Sequence, residues 1–304
     1  MTPNDLSNWA RDLGFGLVGV CSATEPFQGF EYYKQWLDRG HHAEMGYLAR
    51  QAHLKSSLES VLPGAKSAIV VGMNYAQPNP VRQGFPRIAR YALGRDYHRV
   101  MRRRLATLAK QIGQSFPEAM FRACVDSAPI FERELANRAG LGWFGKNSML
   151  INSRQGSMFL IGVLLTSAEL PYSTPAKGGC GTCKKCIEAC PTGAIVHTDG
   201  RWNVDSRKCI SFWTIEAKSA PPPNIHKAGL AFGCDICQEV CPFNEPRSSQ
   251  PERARTTDDP NLLPSGPDPS LDQIRDMSEA EWDSWTRGRA IRRSGYAGWK
   301  RNIR

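Results

Sequence analysis

One stretch of this sequence decides how the second half of the chain folds: residues 180–191, which read CGTCKKCIEACP. Its four cysteines are spaced Cys-x2-Cys-x2-Cys-x3-Cys-Pro, and residues 234–242, CDICQEVCP, repeat the ending Cys-x2-Cys-x3-Cys-Pro. An insertion moves the first cysteine of the second run upstream, to Cys209. In such double runs the fourth cysteine ligates the cluster of the other run. The two runs therefore predict two [4Fe–4S] clusters with crossed ligands.

Crossed ligation predicts two sets of four thiols. The first cluster takes Cys180, Cys183, Cys186 and Cys241, and the second takes Cys190, Cys209, Cys234 and Cys237. Structural zinc is the alternative, because Cys-x2-Cys pairs also make tetrahedral zinc sites, but such sites usually use two short pairs per metal. The remaining cysteines, Cys21 and Cys124, lie in apolar runs and are predicted to be buried core thiols.

Composition limits the class of protein. At 304 residues with 41% hydrophobic content, the chain is long enough for two or three domains. No apolar stretch reaches the roughly 18 residues that span a bilayer, and residues 1–11 lack the apolar core of an export signal. These features predict a soluble, cytoplasmic, metal-binding protein with no membrane contact. The net charge of +10 favours a polyanionic partner, usually nucleic acid.

Three regions are predicted along the chain. Residues 1–170 alternate β-rich apolar runs with amphipathic segments, which predicts an α+β or α/β sandwich of helices on a sheet. The strands are expected at Gly16–Val20, Ala68–Tyr75, Phe121–Val125 and Met158–Thr166, and helices at Phe30–Leu37 and Val100–Ile112. Residues 171–245 are the ferredoxin-like cluster domain. Residues 246–304 begin as a Pro-rich linker and end as a small helical tail, where Ser278 and Glu281 form a capping box.

Two motifs outside the cysteines carry polar residues suited to a site. In VDSAP (125–129), Asp126 follows a predicted strand, and a helix is predicted to begin at Pro129. Ligands bind at this place in open α/β sheets, but a helix cap is an equally good interpretation of Asp126. The glycine-rich turn GLGWFGKN (140–147) is as ambiguous. His98 and the arginines that follow it are candidates for a site wall or an RNA-facing surface.

Together, these motifs resemble the epoxyqueuosine reductases. The resemblance is carried, in chain order, by ARYALGRDYH (89–98), VDSAP, GLGWFGKN, the ferredoxin run and GCDICQEVCPFN (233–244). It spans about residues 5–304. It implies a cobalamin-dependent enzyme that reduces epoxyqueuosine at the tRNA wobble position to queuosine, with electrons relayed by the two clusters. Reductive dehalogenases, which share the cobalamin and two clusters, are relatives of that family.

The resemblance also implies roles for single residues. Asp126 matches the family's proton donor, and Tyr97 matches a tyrosine near the cobalt face. The positions around the corrin are Arg50, Ala89, Asp126, Lys146, Asn147, Ser157 and Ser211. Cobalamin is expected to bind without a protein ligand to cobalt. Asp126 could donate a proton if desolvation outweighs the pull of a helix N-terminus toward the anion.

The tail and the partners complete the expectations. The last acidic residue is Asp283, and the basic residues after it are predicted to hold tRNA phosphates: Arg292, Arg293, Lys300 and Arg301. Expected partners are tRNAs with GUN anticodons that carry epoxyqueuosine, and an external electron donor such as a flavodoxin or ferredoxin system. A monomer is expected. The alternatives are a reductive dehalogenase, which usually carries an export signal, and a ferredoxin-type electron carrier, which would not need residues 1–170.

Overall fold

A computed structural model describes residues 2–78, 85–246, 256–264 and 269–303. Its helices are α1 (Pro3–Asp12), α2 (Phe30–Asp38), α3 (Gly46–Arg50), α4 (Tyr97–Gly113), α5 (Glu132–Arg138), α6 (Lys185–Ala189), α7 (Ile210–Ile215), α8 (Ile236–Glu239), α9 (Leu271–Asp276), α10 (Glu279–Thr286) and α11 (Gly295–Asn302). Its strands are β1 (Leu17–Ser22), β2 (Ser67–Asn74), β3 (Arg87–Ile88), β4 (Phe121–Cys124), β5 (Trp143–Phe144), β6 (Leu150–Ile151), β7 (Phe159–Thr166), β8 (Ile195–Thr198), β9 (Arg201–Val204) and β10 (Leu230–Phe232). Short 3₁₀ helices cover Ala52–Ser56, Leu58–Ser60, Arg90–Ala92, Pro242–Asn244 and Ala290–Ser294.

A four-stranded sheet with the order β1-β2-β7-β4 forms the centre of the fold. Its side chains alternate between two apolar layers, as the period of a strand requires. On β2, Ile69, Val71 and Met73 face the layer that contains α1 and α4, whereas Ala68 and Val70 face the layer that contains α5. Both faces are covered, so β2 is an almost continuous apolar run, and the four predicted strands are confirmed to within two residues.

The α+β class is confirmed, but the central sheet is not of the open parallel kind from which a ligand site at Asp126 was inferred. All three pairings in the central sheet are antiparallel. The rule that ligands bind beyond the carboxyl ends of strands belongs to open parallel sheets. The position of Asp126 at the end of β4 therefore has to be justified by its own contacts.

The predicted helix start at Pro129 is wrong, because the chain makes tight turns before α5 begins at Glu132. The Ser127 amide donates to the Val125 carbonyl at 2.6 Å, and the Ile130 amide donates to the Ala128 carbonyl at 2.8 Å. Asp126 has a positive φ of 56°. Asp126 is therefore not the cap of α5, whose N-cap is Phe131.

The cluster region packs against the first region through short paired segments. Strand β10 pairs in parallel with β3, and the Ala89 amide donates to the Phe232 carbonyl at 2.8 Å. Arg90 adds ion pairs to Asp235 and Glu239 of the second cysteine run. These contacts hold the second cysteine run beside the segment that leads into α4.

The C-terminal segments are part of the main core, not a separate small one. Trp299 is fully buried, in the same apolar cluster as Leu6 of α1 and Met101 of α4. The described part of the predicted linker is packed too, because Leu262 is buried and Arg104 pairs with Asp259. The capping box at Ser278 is confirmed. Linker residues 247–255 and 265–268 lie outside the described residues, as does Arg304, and the predicted domain boundaries stay predictions.

The helices of the described ranges include none that is both long and apolar enough to cross a membrane.

Candidate functional site

The candidate site is built around Asp126, which directly follows the buried Val125 at the end of β4. Its φ of 56° lies in the left-handed region, where aspartate and asparagine are tolerated better than most residues. Holding a residue other than glycine there costs free energy, and such strain is common at functional sites. The turn presents the carboxylate outward, and its side chain is 67% exposed. The carboxylate is thus open to a ligand while its backbone is held by the core.

His98 lies between two carboxylates. Its Nε2 is 3.1 Å from Oδ2 of Asp126, and its Nδ1 is 2.7 Å from Oδ1 of Asp96. Asp96 is the N-cap of α4, and its side chain also accepts the backbone N–H of His98. Neutral imidazole can donate from only one nitrogen, so two carboxylate partners favour the doubly protonated ring. The cap that begins α4 therefore also fixes the orientation of this histidine.

The charges of this chain of three residues follow from the same contacts. Burial disfavours the charged form of His98, but the hydrogen bonds that the ring donates to Asp126 and Asp96 outweigh this effect and raise the pKa of His98 to about 9. The hydrogen bond from His98 lowers the pKa of Asp126 against the opposing effect of burial. At neutral pH the proton therefore resides on His98. The condition that desolvation should outweigh the stabilisation of the anion is therefore not met at Asp126.

Tyr97, the other predicted catalytic residue, lies beside Asp126. Its side chain is buried, and its ring stacks on His98 with centroids 4.0 Å apart. Burial raises the pKa of Tyr97, and the nearby charge of Asp126 adds to the rise. Its hydroxyl hydrogen-bonds Asp126 and helps to lower the pKa of that carboxyl. Tyr97 is therefore a neutral hydrogen-bond donor at the site.

A second acidic group near Asp126 was not anticipated from the sequence. Burial raises the pKa of Glu132 to about 7, and the charge of Asp126 contributes to the rise. Its Oε1 is buried without a hydrogen-bond partner among the described residues. Lys55, which donates to the Ile130 carbonyl at 3.1 Å, lies close enough to lower that pKa in part. Glu132 reads as an ordinary first-turn residue of α5, so no sequence pattern marks it.

The cysteines come together in two groups. Four of them line one small apolar cavity: Cys180, Cys183, Cys186 and Cys241. Burial and the neighbouring thiols Cys209 and Cys190 raise the pKa of Cys234 to about 12, which places these three in one group. Cys237 lies against Cys234 and Cys209, and also feels Cys186 and Cys190, so it stands where the two groups adjoin.

Backbone amides point at several of these sulfurs. The Ala194 amide donates to Sγ of Cys190 at 3.3 Å. Amides of the residues that follow also donate to Cys209, Cys234 and Cys241, which lowers the pKa of each thiol in part. Amide hydrogen bonds to sulfur stabilise thiolate ligands and tune the cluster potential. The donor set thus fits two iron–sulfur clusters.

Lys146 and Asn147 lie on the cluster loops. The Lys146 ammonium donates to the carbonyls of Gly181 and Cys183 at 2.8 and 2.9 Å. The Asn147 amide, almost fully buried, donates to the Cys237 carbonyl at 3.3 Å. Both residues lie in the loop that joins the paired strands β5 and β6, at the end of the glycine-rich turn. Both residues therefore position the cysteine loops, and their predicted contact with a corrin stays a prediction.

The remaining predicted corrin positions are spread out. Ser157 is buried in a hydrogen-bonded network with Gln238 and Asn244 of the second cysteine run. Ala89 is buried against Gly233, where an added Cβ would stand 2.5 Å from its methyl group. Ser211 is the second residue of α7, whose N-cap is Cys209, and Arg50 is exposed at the end of α3. Three of the four thus adjoin the cluster region.

The four tail residues predicted to bind tRNA have partners within the chain. Arg292 pairs with Asp283, and Arg293 pairs with Glu216 at 2.8 Å. Lys300 donates to the Arg275 carbonyl, and Arg301 donates to carbonyls of residues 213–219. Contacts within the chain therefore already engage these four side chains, and their predicted contact with tRNA stays a prediction. Trp299 belongs to the main core, and Tyr296 packs against it.

Comparisons with known proteins agree with this site. Residues 55–127, which include Tyr97, His98 and Asp126, match the family model "Epoxyqueuosine reductase QueG, DUF1730", and residues 179–244 match "4Fe-4S double cluster binding domain". An epoxyqueuosine reductase of Escherichia coli strain K12 is 40% identical over 310 residues, covering 98% of this chain and 78% of the relative.

Solved structures give the same result. The epoxyqueuosine reductase from Streptococcus thermophilus superposes with a TM-score of 0.83 at 25% identity, over 99% of this chain and 79% of that one. An epoxyqueuosine reductase crystallised with an epoxyqueuosine-modified tRNA-Tyr stem loop gives a TM-score of 0.79, with the same identity and coverage.

Proposed function

The chain belongs to the epoxyqueuosine reductase family, and we propose how its residues perform the reduction of epoxyqueuosine to queuosine in tRNA. The observation that carries the proposal is the hydrogen-bonded chain Asp96–His98–Asp126, which ends at an open carboxylate. Because the chain belongs to this family, the two alternative functions, a reductive dehalogenase and a ferredoxin-type electron carrier, are no longer retained. The reaction consumes two electrons and two protons, because both C–O bonds of the epoxide break and its oxygen leaves as water.

Residues 179–244 match a domain that binds two [4Fe–4S] clusters, and clusters held there would relay the electrons. The proposed first cluster is held by Cys180, Cys183, Cys186 and Cys241, and the second by Cys190, Cys209, Cys234 and Cys237. The shared cavity of the first four thiols and the mutual proximity of Cys190, Cys209 and Cys234 support this crossed assignment. Cys190→Ser should then damage the second cluster and leave the first intact. Loss of the first cluster alone, by iron content and electron paramagnetic resonance, would overturn the assignment.

Cobalamin is the proposed site of substrate reduction. When bound, its reduced cobalt supplies the electrons to the epoxide carbon. Both ring nitrogens of His98 are engaged by carboxylates, so the site histidine is not free to ligate cobalt. That arrangement fits a cobalamin held without a protein ligand to the metal. Tyr97 and Asp126 are the residues of this site that would face it.

His98 and Asp126 together supply a proton to the leaving oxygen. In the resting site the proton is on Nε2 of His98, 3.1 Å from Asp126. As negative charge develops on the epoxide oxygen, His98 passes its Nε2 proton to Asp126, and Asp126 delivers that proton to the oxygen. Asp96 holds the imidazolium in place through Nδ1. Such general acid catalysis contributes roughly 10²–10⁴-fold to a rate.

The test is conversion of epoxyqueuosine-modified tRNA by the anaerobically reconstituted protein, followed by mass spectrometry of the nucleosides. Queuosine formation that requires both iron and cobalt is expected, with eight irons and one cobalt bound per chain. Reduction that proceeds without cobalamin would remove the cofactor from the proposal. Absence of any queuosine with all cofactors bound would overturn the function.

We also propose that the enzyme is a monomer in the cytoplasm. It would receive its electrons from a flavodoxin or ferredoxin system. The loop that carries the first three cysteines is exposed and basic, with Lys184 and Lys185 on its surface. Such a surface suits an acidic electron donor. Turnover driven by flavodoxin should fall steeply with added salt, whereas turnover driven by a small chemical reductant should not. Equal salt dependence with both reductants would remove a charged donor from the proposal.

A further inference from the structure

Helix α4 carries a basic stripe on its exposed face. We use "α4 stripe" for Arg99, Arg102, Arg103 and Lys110, all of which are exposed. Their spacing of three, four and seven residues places them on one face of a helix. The opposite face is buried in the core through Met101, Leu105, Leu108 and Ile112. The stripe runs for about 16 Å along the helix axis at 1.5 Å per residue.

The stripe has little counter-charge among the described residues, although Asp96 at the start of α4 acts on the charge of Arg99. Helix α4 contains no aspartate or glutamate. Arg99, Arg103 and Lys110 make no side-chain hydrogen bond or salt bridge with the rest of the described chain. Like charges three and four residues apart destabilise a helix. Arg104 follows Arg103 in the sequence but is not part of the stripe. In contrast to the stripe residues, it forms an ion pair with Asp259.

The stripe adjoins the loop that carries Asp126. The Arg102 guanidinium donates to Oγ of Ser127 and to the Val125 carbonyl. A cavity of about 550 Å³ opens beside this loop, lined by Arg102, Arg122, Ser127 and Ser60 among others. Arg122 projects from β4, is exposed, and has no hydrogen-bond or ion-pair partner among the described side chains. Two guanidinium groups thus stand beside the catalytic loop.

The substrate must bring phosphates to this place. The base that carries the epoxide can reach Asp126 only if its own nucleotide, with the phosphates on both sides, enters the surrounding surface. Resting on the proposed function, we propose that the α4 stripe and Arg122 bind the backbone phosphates of the tRNA anticodon arm. Arginine suits this role because its planar donors match phosphate oxygens. The contacts fix the position of the anticodon arm and carry no sequence information.

Salt dependence of binding tests the proposal. The variant Arg99→Gln/Arg103→Gln keeps a flexible polar side chain and a similar helix propensity and removes two charges. The slope of log K against log salt concentration should fall by about 0.7–0.9 for each phosphate that the variant no longer binds. The matched control, Arg287→Gln/Arg292→Gln, removes two charges that already pair with Asp283. Its slope should equal that of the wild-type protein.

The outcomes separate three explanations. A lower slope and weaker tRNA binding in the stripe variant alone support the proposal. An unchanged slope in that variant, or an equal reduction in the control, overturns it. Loss of bound cobalamin in the stripe variant, with an unchanged slope for tRNA, would assign the arginines to the phosphate of the cofactor and also overturn it. Failure of the wild-type protein to form queuosine would instead remove the proposed function.

Discussion

Two basic regions of this chain, α4 and the C-terminal tail, use arginine in opposite ways. In α4, the side chains of Arg99 and Arg103 are exposed and make no hydrogen bond or salt bridge in the described chain. The same helix contacts the loop of Asp126 through Arg102. In the tail, Arg292, Arg293 and Arg301 contact carboxylates or carbonyls of neighbouring segments. The net charge of +10 does not distinguish these cases. Charge that is satisfied inside the fold stabilises the fold, and only unsatisfied charge is available for a partner.

This comparison leads to a general expectation. Substitutions at the α4 end of the molecule should change turnover or tRNA binding and leave stability nearly unchanged. Substitutions in the tail should lower stability and leave turnover nearly unchanged. Substitutions at Asp126, His98 and Arg301 test this division.

Asp126→Asn should give the largest effect, a loss of roughly 10²–10⁴-fold in the rate of queuosine formation. Asparagine tolerates the positive φ of 56° at this position, so the fold should persist. It accepts a hydrogen bond from His98 but cannot pass on a proton. Single-turnover rates and the melting temperature of protein with both cofactors bound provide the measurement. Near-normal rates would show that Asp126 is a structural residue. They would contradict the expectation that substitutions near α4 change turnover.

His98→Gln should give the next effect, through the pH dependence of the rate. The pKa of His98 is raised to about 9 by Asp126 and Asp96 against burial, while the pKa of Asp126 is lowered. The ion pair therefore stays formed through neutral pH and is lost as pH rises through about 9. Its contribution to stability is complete below the unfolded pKa of histidine, near 6.5, and decreases above it. Two other groups adjoin this ion pair. Tyr97 stacks on the His98 ring, and the charge of Arg293 also lowers the pKa of Asp126.

The wild-type enzyme should consequently lose single-turnover rate above about pH 9, and the variant should lack that alkaline limb and be slower at neutral pH by roughly 10²-fold. The rate should be measured with a chemical reductant in excess, so that electron delivery does not limit it. An alkaline limb that is unchanged in His98→Gln would show that another group carries the proton. In that case the contact with Asp126 is structural.

Sequence patterns predicted the elements and the cysteine runs well, because both depend on local spacing. The strands and the capping box at Ser278 follow from period and capping chemistry within a few residues. The contacts of His98 and the burial of Glu132 depend on where distant segments meet. Asp126 is 28 residues from His98 in sequence, and no pattern connects them. The pairing of tail arginines with Glu216 is equally invisible before folding.

Arg301→Ala gives the smallest effect, and it tests the other side of the division. The Arg301 guanidinium donates to the carbonyls of Trp213, Ala217, Lys218 and Ser219, at 3.0, 2.9, 3.0 and 2.7 Å. Removing these hydrogen bonds from a charged donor should lower the free energy of unfolding by about 2 kcal/mol. The control Arg287→Ala, which removes an exposed pair with Asp283, should cost no more than about 0.5 kcal/mol. Both variants should keep the wild-type salt slope for tRNA. A lower slope with unchanged stability in Arg301→Ala would mean that this arginine leaves its carbonyls for phosphate, and would return the tail to the tRNA-binding surface.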